Sequence, residues 1–126
     1  MADNLAAVHR RMAAACAAAG RPPDSVRLLA VSKTHGPEAV RAAAAAGQVL
    51  FGENRVQEAA AKMPECPVHL QWHLIGHLQS NKAKFMVGRF GLIHTVDSMK
   101  LAQNLHKCLE QALAQDKFTP EAAAPE

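Results

Sequence analysis

Apolar positions along the chain alternate between two periods, and the alternation lays out a series of strands and helices. From Asn4 to Ala19 the residues Leu5, Val8, Met12, Ala15 and Ala19 recur at helical spacing, with Asp3 or Asn4 as N-cap and Gly20 followed by Pro22-Pro23 as the stop. Val26 to Ser32 is then a nearly continuous apolar run, which predicts a short strand buried on both faces and ending at Lys33. The pattern repeats. Pro37 opens a second helix that Gly47 closes, Val49-Leu50-Phe51 forms a strand, and a helix runs from Arg55 to Met63 until Pro64 stops it. Leu70 to Ile75 predicts a third strand, Lys82 to Val87 a helix, Leu92 to Val96 a fourth strand, and Met99 to Ala114 a long helix capped by Ser98.

Strands that alternate with helices at this spacing require a parallel sheet, because each crossover returns the chain to the same end. The expected fold is α/β: about four βα units after an N-terminal helix. Function in such folds gathers at the carboxyl ends of the strands. Ser32-Lys33-Thr34, Gly52-Glu53-Asn54, Gly76-His77 and Asp97-Ser98 stand at those ends. Residues 1–115 form the folded part of this reading, and 116–126, with Pro120, Pro125 and an alanine triplet, a frayed tail.

Composition narrows the classes. Hydrophobic residues make up 49% and charged residues 20%, as in an ordinary water-soluble domain. The formal charge is only +3, and with no Tyr, one Trp and scattered basic residues the signature of a nucleic-acid surface is missing. Cys16, Cys66 and Cys108 are odd in number and far apart, which favours a reducing compartment over a disulfide framework. No signal peptide and no run of about 18 apolar residues is visible, so the expectation is a cytoplasmic protein with no membrane partner.

Lys33, directly after a buried strand, occupies a position where an amine can be desolvated enough to attack an aldehyde; the plain alternative is a lysine surfacing as the strand leaves the core. Asn54 either offers an amide to a ligand beside Gly52 or caps the helix that starts at Arg55. His69, His73 and His77 share one face and raise the question of zinc. On a strand, however, residues four apart are roughly 13 Å apart, too far to share one ion, so no metal site is expected. His73 then lines the core or a site, and His77 is a loop residue. Gln79 to Lys84 reads as a helix start, with Ser80 or Asn81 as cap and free N–H groups facing an anion. Asp97 either bonds a ligand or an imidazole, or caps with Ser98.

Four of these segments occur together in the order and wording of one family: Leu29-Ala30-Val31-Ser32-Lys33-Thr34, Phe51-Gly52-Glu53-Asn54-Arg55-Val56-Gln57-Glu58, Trp72-His73-Leu74-Ile75-Gly76-His77-Leu78-Gln79-Ser80-Asn81-Lys82, and His94-Thr95-Val96-Asp97-Ser98. They resemble the pyridoxal phosphate homeostasis proteins, the YggS or PROSC group, to about Leu113. That family is similar to the barrel domain of alanine racemase. The resemblance implies the first half of a TIM (β/α)8 barrel that carries pyridoxal 5′-phosphate (PLP) as a Schiff base on Lys33, with Asn54, His77 and Ser80 near the cofactor. It implies a role in vitamin B6 homeostasis without robust catalysis, and PLP-dependent apo-enzymes as partners.

Family members continue through four more βα units whose loops grip the phosphate, and those motifs are not found here. The expectation is a truncated product or gene fragment, associating through exposed half-barrel edges or only partly folded. Two other functions compete. An amino-acid racemase needs an acid or base on each face of the substrate, and the chain has no tyrosine to act as the second. A metal-dependent hydrolase would use His69, His73 and His77.

Overall fold

A computed structural model describes residues 2–86 and 89–114. Four helices, α1 (Ala2–Ala18), α2 (Pro37–Ala45), α3 (Val56–Lys62) and α4 (Met99–Ala114), accompany four strands, β1 (Ala30–Val31), β2 (Leu50–Glu53), β3 (Gln71–Leu74) and β4 (Leu92–Ile93). The strands form one sheet in the order β1-β2-β3-β4, every pair parallel. Each predicted strand is present. The tail expected over 116–126 lies outside the described residues.

Register explains how the core divides. Partners across a parallel ladder share a face and alternate along each strand. Ala30, Phe51 and Trp72 are aligned on one face, as are Glu53, Leu74 and Ile93. The helices pack on that side among the described residues: Val40 and Ala43 of α2 meet Phe51 and Trp72, while Val56 of α3 and Leu101 of α4 meet Leu74. The other face carries Val31, Gly52, His73 and Leu92 in a row. Val31 is 48% and Leu92 49% exposed.

Several local expectations are corrected. The first strand is two residues long instead of spanning Val26 to Ser32, and it is not buried on both faces. Residues N-terminal to Leu29 would pair with residues before Leu50, where the chain is still turning out of α2 at Gly47, φ 103°. The Gln48 side chain substitutes for the ladder there, its Nε2 donating to Leu28 O and Leu50 O at 2.8 Å each. The helix expected over Lys82 to Val87 is a 3-10 helix, Ser80–Phe85, within the described residues. A piece this short gains few hydrogen bonds for the residues it fixes and tightens readily to the i→i+3 pattern. Neither Ser80 nor Asn81 caps it, since its N-cap is Gln79 and no side-chain capping bond forms. Arg55 is the N-cap of α3, again without a side-chain bond, so Asn54 does not cap that helix. Ser98 does accept a bond from the Leu101 N–H at the start of α4, 3.1 Å, as the sequence predicts.

Candidate functional site

The carboxyl end of β1 turns sharply. Ser32 still follows the ladder, its N–H donating to Gly52 O at 3.0 Å, and His35 N–H then donates back to Ser32 O at 3.1 Å. Residues 32 to 35 are thus a four-residue turn whose third member, Thr34, has φ 65°. That region suits glycine or asparagine, and a β-branched residue there is strained by about 1–3 kcal/mol. Lys33 is the second residue of this turn. The alternation that puts Ala30 and Ser32 on the helix side puts Val31 on the open side, and Lys33 follows in the turn. Lys33 is exposed, so the buried setting expected for its amine is not found.

Behind the turn, on the helix side, lies a charged cluster that sequence reading missed. Glu53, wholly buried at the end of β2, accepts a hydrogen bond from Ser32 Oγ. Lys62 of α3, also buried, donates to Glu53 Oε2 and to Ser32 O, both at 2.8 Å. Glu58 Oε1 accepts from Thr34 N–H at 3.0 Å and is 3.9 Å from Lys62 Nζ. A trace of this arrangement was available in the sequence. Lys62 continues the stripe of Val56 and Ala59 at intervals of three, the buried face of α3.

At the next strand ends, Asn54 is half-buried with its backbone against Gly76. His77 and Asp97 are both exposed, Nδ1 to Oδ2 3.8 Å, a weak pairing. A cleft of about 240 Å³ brings His77 together with Arg55, Gln57, Gln79 and Lys82. Lys33, Asn54 and Ser80 do not line it. The three histidines separate: His73 is in β3 and buried, whereas His69 and His77 are outside the strand and exposed. Among the described residues no group of three His, Cys, Asp or Glu side chains is placed to hold a metal.

His73 instead meets His94 across the open face, Nδ1 to Nε2 3.1 Å. One ring must donate and the other accept, so the contact needs at least one neutral imidazole. Burial, then His94 and Arg27, hold the His73 pKa below the ordinary histidine value. Beside them Arg27 donates to Gln71 Oε1 at 2.6 Å.

Residues 4–119 match the model of the alanine racemase N-terminal domain. The chain belongs to that family. Within the alanine racemase N-terminal domain family, it is 49% identical over 106 residues to a pyridoxal phosphate homeostasis protein of Pseudomonas aeruginosa, covering 83% of this chain and 46% of that one. It spans about half the length of the curated relatives it matches. PipY of Synechococcus elongatus, solved without PLP, is 47% identical with a TM-score of 0.77 over 88% of this chain and 48% of its own. The same protein solved with PLP bound is 49% identical with a TM-score of 0.67, over 79% and 49%. A parallel four-stranded sheet with its helices on one face, matching half of each relative, bears out the expected first half of a (β/α)8 barrel. Among the described residues no helix is long and apolar enough to cross a membrane.

Proposed function

We propose that this chain binds PLP and serves vitamin B6 homeostasis, with Lys33 as the residue that holds the cofactor. The observation that carries the reading is its 49% identity to PipY, solved with PLP bound, over the half that contains Lys33. Lys33 would hold PLP through its amine, the cofactor supplying an aldehyde whose oxygen would leave as water when the C=N bond forms. The residues present suit that reaction. An exposed primary amine stands at a strand's carboxyl end, in a turn whose residues 32 and 34 are both held by side chains.

Asn54, His77 and Ser80 are proposed neighbours of the cofactor. Asn54 is nearest in sequence to the held turn's partner Glu53, and His77 is in the cationic cleft with Arg55 and Lys82. The phosphate is proposed to be gripped by the half of the barrel that this chain does not span. The role is that of a carrier without robust catalysis, acting in the cytoplasm and passing PLP to apo-enzymes. Copies are proposed to associate through the open edges β1 and β4, which display Val31 and Leu92.

Titrating the chain with PLP and following the visible absorbance of an imine tests the reading. A saturable band that is lost in Lys33→Ala supports it. A band of equal size in Lys33→Ala contradicts it.

A further inference from the structure

Lys33 lies between two residues whose backbones are tied to one set of charged side chains. Ser32 is held three ways: Lys62 Nζ donates to its carbonyl at 2.8 Å, its hydroxyl donates to Glu53, and its N–H stays in the ladder with Gly52. Thr34 is held by Glu58, which accepts its N–H at 3.0 Å. Lys33 itself is tied to neither glutamate.

The cost of this arrangement points to a purpose beyond packing. A buried ion pair is commonly no more stabilising than apolar residues of similar volume. This one is also incompletely satisfied, for Glu53 Oε1 is buried with no hydrogen-bond partner among the described residues. On the other side of Lys33, a β-branched residue is kept at positive φ, a conformation that persists only where the surroundings dictate it. The buried pair bonds Ser32 and the strained backbone is Thr34, the two neighbours of Lys33. A surface lysine with no task would need neither.

We propose that Glu53, Glu58 and Lys62 are positioning residues for Lys33: they fix residues 32 and 34 so that the amine stands at one place beyond the carboxyl end of β1, ready to condense with an aldehyde. The inference rests on the PLP-binding reading above. It adds the residues that prepare the lysine. Preorganisation of this kind raises the equilibrium constant for adduct formation because the turn is already ordered before the aldehyde arrives.

Glu58 is the informative site, because it is half-exposed and its removal leaves the buried pair in place. The 126-residue chain, Glu58→Ala, Glu58→Gln and Thr34→Gly are each mixed with PLP. The pH dependence of the imine absorbance is recorded, and borohydride-trapped peptides are quantified at Lys33 and at the surface residues Lys100 and Lys107. Glu58→Ala is expected to lower adduct formation at Lys33 by about tenfold and to move the pH midpoint of its band. The melting temperature and trapping at Lys100 and Lys107 stay as in wild type. Glu58→Gln recovers most of the loss, since its amide oxygen still accepts from Thr34 N–H. Thr34→Gly keeps the backbone N–H that Glu58 accepts and suits the positive φ, so it retains the wild-type yield. A Lys33 adduct with unchanged yield and unchanged pH midpoint in Glu58→Ala overturns the positioning role alone. A wild-type chain with no Lys33 adduct overturns the PLP-binding reading and this role with it.

Discussion

Lys62 reaches from the last turn of α3 to place its ammonium 2.8 Å from Glu53 Oε2 at the end of β2, and the two side chains are 5% and 0% exposed. Such a pair is held in place by the consequence of breaking it. The same ammonium bonds Ser32 O, so the pair joins a helix to the ends of two strands.

Removing one charge leaves the other buried and alone. Lys62→Met is therefore expected to destabilise the fold by about 3–5 kcal/mol. Lys62→Met combined with Glu53→Gln should recover a substantial part of that loss, because no uncompensated charge remains. Urea denaturation of the three proteins checks this; equal stability of Lys62→Met and wild type would contradict the buried pairing.

Asn54 and Gly76 are packed backbone to backbone. A Cβ on Gly76 would come within 2.8 Å of Asn54 Cα and closer still to its carbonyl oxygen. A Cβ on Gly52 would meet the Leu29 Cδ2 end at 2.9 Å, and that side chain can rotate away. Gly76→Ala is expected to cost about 2–4 kcal/mol and Gly52→Ala roughly half as much. Their thermal melts should rank in that order.

Stability should depend on His73 in mildly acidic solution. Its native pKa is lowered, chiefly by burial and then by His94 and Arg27, so the unfolded chain takes up the proton first. The contribution of neutral His73 is fully present above the unfolded value of 6.5 and is lost as pH falls through it toward the lower native value. Denaturation midpoints for wild type should fall between about pH 7.5 and about pH 5.5, and His73→Gln should flatten that fall. An identical pH response in the variant would contradict the assignment.

What the sequence revealed and what it hid follow from the same physics. The order of strands and helices was legible because each apolar run has a face to bury. The limits of α4 were legible too, since Ser98 and the stripe Leu101 and Leu105 act locally. The length of β1 was not, because Gln48 takes over its pairing from twenty residues away. The 3-10 geometry of Ser80–Phe85 follows from its shortness and unbonded cap, which apolar spacing does not report. Glu53 and Lys62 were hidden because charged residues read as solvated unless a partner is known. Lys33 was visible as a strand-end lysine, but the turn that holds it is built from Glu58 and Lys62, distant in sequence.

The central claim is that Lys33 holds PLP, and trapping the adduct tests it most directly. The chain is incubated with PLP, reduced with borohydride, digested, and the modified peptides are mapped by mass spectrometry. The account predicts pyridoxyl label concentrated on Lys33 and absent from that peptide in Lys33→Ala. No adduct, or label spread evenly over Lys82, Lys84, Lys100 and Lys107, would contradict it.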